Sequence, residues 1–120
     1  MSQIQIEKCL KGNVITVHSA IEATATSDPV DCRGYNALLV YFDTSAANNW
    51  TIKVQGAPSR NGTYADVYEL ANTGSMAAMS YQLNADRVFI FKGIPDWVKV
   101  VATEDVNGAT VTVKVQPCIV

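Results

Sequence analysis

His18 is the only histidine in the chain, so any imidazole chemistry would have to pass through it. A serine nucleophile would need that base beside it and a strained Gly-x-Ser-x-Gly turn, and no serine stands in such a setting. Zinc requires His, Cys or carboxylate ligands at short spacing, and the sequence has no such cluster. The three cysteines, Cys9, Cys32 and Cys118, are widely spread with no Cys-x-x-Cys pair. An odd count without a secretory signal points to reduced, buried thiols in a protein made in the cytosol. A Cys9–Cys118 bridge between terminal strands is the other arrangement considered. Of the eleven acidic residues, Asp28, Asp31, Asp43, Asp96, Glu104 and Asp105 fall in turn-like sequence. Turns recruit Asp because its side chain bonds nearby backbone amides, which accounts for these residues without a glycosidase-type carboxylate pair. Glu104, Asp105 and Asn107 are oxygen ligands of the kind calcium takes, yet hairpin turn chemistry explains them more simply. There is no Gly-rich phosphate loop. The reading is therefore no catalytic residue, no cofactor and no metal: not an enzyme.

Aromatic and amide side chains are the remaining candidates. The stretch "NNWTIKVQGAPSRNGTYADVYEL", residues 48–70, sets Trp50, Arg60 and Tyr64 around an amide-rich loop. Trp50 alternates with Ile52 and Val54, which is a core pattern. Arg60 and Tyr64 flank the Asn61-Gly62 turn, a place where loops carry function. Trp97 is out of phase with Val98 and Val100 and shares a face with Lys99, either exposed or covering one end of the domain. Arg60, Tyr64 and Trp97 are thus the candidate contact residues, for a partner protein or for a sugar ring stacked on an aromatic face.

These side chains must be held by β-structure. Period-two alternation runs through most of the chain, and about eight or nine short strands are predicted between turn signals. "ALLVYF", Ala37 to Phe42, reads as a central strand covered on both faces. In "GATVTVKVQP", Ala109, Val111, Val113 and Val115 point in, while Thr110, Thr112, Lys114 and Gln116 point out. Its expected hairpin partner is "VKVVATE", joined through Asn107-Gly108. "ANTGSMAAMS" reads as a loop, since Asn72, Thr73, Gly74 and Ser75 are poor helix formers. Lys8 and Lys53 are expected to point outward on edge strands. The class is all-β: a single antiparallel two-sheet sandwich, jelly-roll-like, spanning 1–120, with 1–12 either a first strand or an N-terminal arm that adds to a neighbour.

Composition narrows the partners. Hydrophobic residues make up 48% of the 120 and charged residues 17%, against an average near 25% charged. Such weakly charged surface suits a permanent interface. Net charge is −2, and the nine basic residues are scattered singly, which argues against nucleic acid. The N-terminal stretch lacks a charged head and apolar run, so no signal peptide is expected. The longest apolar run, Ala37 to Phe42, is too short to span a membrane.

Two stretches carry a resemblance. One is "WTIKVQGAPSRNGTYADVYEL"; the other is "VFIFKGIPDWVKVVATEDVNGATVTVKVQP", with its aromatic-Gly-Ile-Pro corner and final Thr-Val strand. Their ordering over roughly residues 36 to 117 resembles small β-sandwich virion proteins of tailed bacteriophages, which occur as capsid decoration (cementing) proteins or as head and tail fibre modules. The resemblance implies a non-enzymatic protein made in the host cytoplasm and located in the virion. Its partners would be the major capsid protein or other virion proteins, in a homo-oligomer with a trimer favoured. A carbohydrate- or host-surface-binding module of a tail or fibre is the alternative.

Overall fold

The computed structural model describes residues 11–46, 49–70, 76–104 and 109–120. All regular elements among them are β-strands. The first half holds β1 (Ile15–Ile21), β2 (Ala25–Thr26), β3 (Val30–Asp31), β4 (Ala37–Thr44), β5 (Trp50–Ala57) and β6 (Ala65–Asp66). The second holds β7 (Tyr68–Leu70), β8 (Met76–Ala78), β9 (Ser80–Leu83), β10 (Arg87–Lys92), β11 (Trp97–Glu104) and β12 (Val111–Cys118). The twelve pieces exceed the expected count because several expected strands are interrupted.

One sheet has four strands in the order β1-β12-β4-β10. The other is built on the pair β11–β5, with β2 and β3 both along one side of β11, and β6 and β9 along the far side of β5. All these pairings are antiparallel, as is the small ribbon β7–β8. The long strands alternate between sheets as the chain proceeds: β4, β10 and β12 in the first, β5 and β11 in the second. That arrangement is all-β and compatible with a two-sheet sandwich.

The core lies between the two sheets. Trp50, Ile52 and Val54 of β5 and Val98, Val100 and Ala102 of β11 pack with Leu38, Val40 and Phe42 of β4 and Val111, Val113 and Val115 of β12. Each fully buried Val, Leu or Ile contributes on the order of 1.5–3 kcal/mol relative to exposure. The inward and outward faces read for residues 50–55 and 109–116 are those observed. Trp50 is wholly buried, and its indole Nε1 finds no hydrogen-bond partner among the described residues.

Several expectations are corrected. β11 and β12 do not form a hairpin: they lie in different sheets, β11 beside β5 and β12 between β1 and β4. Both alternate with one apolar face, so the pattern suits two strands facing each other across a core as well as two strands side by side. The Asn107-Gly108 turn itself lies outside the described residues. β4 is central but covered on one face only, since Leu39 and Tyr41 are half-buried on the outer side. Tyr41 settles there by donating from its hydroxyl to Gln116 at 3.1 Å. Lys53 points outward, but β5 is an interior strand, and the ammonium pairs with Asp66 at 3.1 Å. Met76–Ala78 is a strand rather than loop, because it completes the hydrogen bonding of β7. "TYADVYEL" is broken between β6 and β7 at Val67, whose amide donates to the Val54 carbonyl and whose carbonyl accepts from Met79. Lys8, Cys9 and residues 1–10 of the segment 1–12, expected as a first strand or an arm, lie outside the described residues. Lys11 forms a bridge with Cys118, and the Gly12 amide donates to the Pro117 carbonyl at 2.7 Å.

His18 joins the sheets. Two register shifts in β1 place Ile15, His18 and Ile21 opposite the inward Val115, Val113 and Val111, replacing simple alternation. Such bulges at an edge also discourage strand addition. The buried imidazole reaches the Val100 carbonyl at 2.9 Å from Nε2, which must carry the proton because a carbonyl only accepts. That carbonyl also accepts from the Ser27 amide at 2.9 Å, while Ser27 Oγ accepts from the Val100 amide at 2.9 Å. Ser27 thus fills the gap between β2 and β3. Ser27→Ala should cost about 1–3 kcal/mol in urea unfolding with the fold retained, because the Val100 amide would be left buried and unpaired; an unchanged midpoint would show that the amide is satisfied otherwise.

Candidate functional site

Trp97 opens β11 and is flanked on both sides. Asp31, the last residue of β3, is its neighbour on one side, and Ala57, the last residue of β5, is its neighbour on the other. The chain turns away immediately after both strand ends. Arg33 follows Asp31 closely, and Arg60 follows Ala57 closely, so both side chains reach Trp97. The Arg33 guanidinium lies 5.0 Å from the ring centroid and that of Arg60 5.9 Å. Two glycines with positive φ shape the corner: Gly34 (+85°) after Arg33 and Gly93 (+71°) before Ile94-Pro95. A side chain is rarely tolerated in that conformation.

The Ser59–Gly62 turn closes with the Gly62 amide donating to the Ser59 carbonyl at 3.1 Å. The Tyr64 hydroxyl then donates back to the Arg60 carbonyl at 2.8 Å, pinning the turn. The Lys99 ammonium sits 4.4 Å from the Tyr64 ring centroid. The three residues named from the sequence, Arg60, Tyr64 and Trp97, therefore do come together, at one end of the outer face of the six-stranded sheet. Farther along that face, Asp66 accepts from Lys53 at 3.2 Å and from Gln55 at 3.0 Å. These bonds, Gln55 first, hold the Asp66 carboxyl below its ordinary range.

The electrostatics separate the cations of the corner. Arg33 is neutralised: its Nε and Nη2 donate to the two Asp31 oxygens at 2.9 and 2.7 Å, and its amide adds a third bond at 3.0 Å. The side-chain bonds to Arg33 are the main reason the exposed Asp31 carboxyl is lowered to about 2. Arg60 and Lys99 form no salt bridge among the described residues, though the charge of Arg60 adds a last, small contribution to lowering Asp31. Between Asp31 and Arg33, the Cys32 thiol points into the core, and burial first, then the charges of Asp31 and Asp96, push it up to about 12. A thiol with so little thiolate at neutral pH is a packing group, not a nucleophile. Among the described residues, no three His, Cys, Asp or Glu side chains gather as a metal site, and no helix is long and apolar enough to cross a membrane. An open groove of about 320 Å³ lies on the other sheet, lined by Val14, Tyr41, Asp43, Thr112 and Lys114.

No protein-family model matches the chain, and no curated protein matches it in sequence. Solved structures do match. The SPBc2 prophage-derived protein YomS superposes with a TM-score of 0.66 at 19% identity, covering 92% of this chain and 94% of that one. The PBSX exported protein XepA gives a TM-score of 0.67 at 17% identity, covering 93% of this chain but 39% of that protein. The fold is one that prophage proteins use.

Two members of the corner were not assigned a role from sequence. Arg33 reads as a turn residue before Gly34, and Lys99 as one outward position among several. The available signal was the shared outward phase of Trp97 and Lys99 on one strand. For Arg33 there was none, since its approach to Trp97 depends on β3 pairing with β11. In an NMR titration the Asp31 carboxyl is expected to show a midpoint near 2, against 3.8 for an unpaired Asp. Arg33→Gln should move it back up. Because the folded-state value lies below the unfolded one, the pair's stabilisation is complete above pH 3.8 and fades as pH falls through about 2. An unshifted midpoint in the wild type would mean the pair does not form in solution.

Proposed function

We propose that the chain is a non-enzymatic bacteriophage virion structural protein, with capsid decoration or cementing as its role. The observation that carries this reading is the whole-length agreement with YomS, a prophage-derived protein, in which the fold accounts for nearly all of both chains. The resemblance in the "WTIKVQG" and "FKGIPDWVKVVAT" stretches points the same way, and weakly charged surface suits repeated contacts. A decoration protein gains avidity from many weak contacts on a lattice, so no single deep site is needed. Its partners would be the major capsid protein or other virion proteins, with self-association, a trimer favoured, covering free strand edges. The test is quantitative mass spectrometry of purified particles, scaled to the major capsid protein. Copy numbers on the order of hundreds fit a lattice protein bound by multivalent contacts. A few dozen would move the protein to the tail or fibres, and absence would overturn the virion reading.

A glycan- or host-surface-binding module is the second reading, favoured by the convergence of Arg60, Tyr64 and Trp97 on one corner. It expects saturable binding on a glycan array that Trp97→Ala or Tyr64→Ala abolishes while the circular dichroism spectrum stays native. Binding that survives both substitutions, or no glycan bound at all, would sink it.

A further inference from the structure

We propose that the corner around Trp97 is a docking site for the carboxylates of an acidic protein segment, with Arg60 and Lys99 as the receiving cations. This rests on the reading that the chain acts by binding protein partners. Among the described residues, four cationic side chains stand on the outer face of the six-stranded sheet, and they are not equivalent. Arg33 is spent on Asp31 and Lys53 on Asp66. Arg60 and Lys99 are held by aromatic rings instead, at 5.9 Å from the Trp97 centroid and 4.4 Å from the Tyr64 centroid.

A ring restrains a cation without using up its hydrogen bonds. A guanidinium over an indole keeps its N–H fork available for the two oxygens of a carboxylate, and an ammonium over a phenol keeps donors directed away from the ring. The side-chain entropy normally lost on binding is thereby partly lost beforehand. The Tyr64 hydroxyl bond to the Arg60 carbonyl links the two supports, so the cations are presented by one braced unit. The same corner already holds one carboxylate, Asp31, by a two-point guanidinium contact.

The arrangement selects among ligands. A neutral sugar stacks best on a bare aromatic face, and cations lie over both Trp97 and Tyr64, so the corner suits a carboxylate better than the glycan of the second reading. Nucleic acid needs a run of unpaired cations, more than the two present here. The chain as a whole carries −2, so an acidic partner is repelled by the average surface and attracted at this corner, which fixes orientation.

The experiment uses the full chain and a fluorescein-labelled oligoglutamate peptide, read by anisotropy. Binding should be measurable at about 0.05 M salt and fade toward about 0.5 M as the charges are screened. The double variant R60Q/K99Q should lose affinity by about tenfold or more, as expected for removing charge-assisted bonds. Lys114→Gln, which removes one positive charge from the other sheet, should bind as the wild type does. No binding at millimolar peptide, equal loss in Lys114→Gln, or binding of a uronic acid oligosaccharide in place of the peptide would each overturn the proposal. Particle copy number is independent of this assay, so a corner that binds peptide in a protein absent from particles would separate failure of the virion reading from failure of this one.

Discussion

Strand β11 must satisfy its backbone hydrogen bonds along both edges while lying across the core, and much of the architecture follows from how it does so. On one edge β5 pairs with it over the whole strand. On the other, no continuous strand is available: β2 covers Val101 and Ala102, β3 covers Trp97 and Val98, and Asp28-Pro29 interrupts between them. The break would orphan the peptide of Val100, and a buried peptide group without partners is costly. Ser27 closes it with its amide and hydroxyl, and His18 adds a bond from the opposite sheet. One residue's backbone thus meets the split edge strand and ties the two layers together.

The corner depends on that solution. Because β3 resumes pairing after the break, Asp31 comes to lie beside Trp97, and Arg33 is delivered onto the indole ring. The end of β5 delivers Arg60 from the other side. A surface poor in charge overall therefore acquires a local cluster of cations over aromatic rings. Two of them are neutralised by carboxylates of the same face, and two, Arg60 and Lys99, form no salt bridge among the described residues. The buried parts of the molecule show the opposite economy: Cys32 is an inert packing group, and the Trp50 indole fills the core with its N–H lacking a hydrogen-bond partner among the described residues.

Alternation was the most legible feature of the chain. Trp50 to Gln55 and Ala109 to Gln116 sort onto inner and outer faces as their spacing dictates, because a strand's side chains have period two whatever its partner. Where bulges intervene, as in β1, alternation misleads, and His18 rather than a neighbouring valine is buried. Strand partners were less legible. β11 and β12 each have one apolar face and are close in sequence, yet they belong to opposite sheets. An apolar stripe records that a face is buried, not whether its neighbour lies beside it or across the core.

The sequence by itself determined the all-β class, the inward residues of the long strands, and a trio of exposed-loop and out-of-phase residues, Arg60, Tyr64 and Trp97, worth watching. These are local properties, set by side-chain period and turn chemistry. Only the tertiary structure decided that the trio forms one corner, that Arg33 and Lys99 join it, and which cations are already neutralised. Those outcomes depend on pairings between distant segments, β3 and β5 with β11. Cation–ring contacts carry no spacing rule that a linear pattern could reveal.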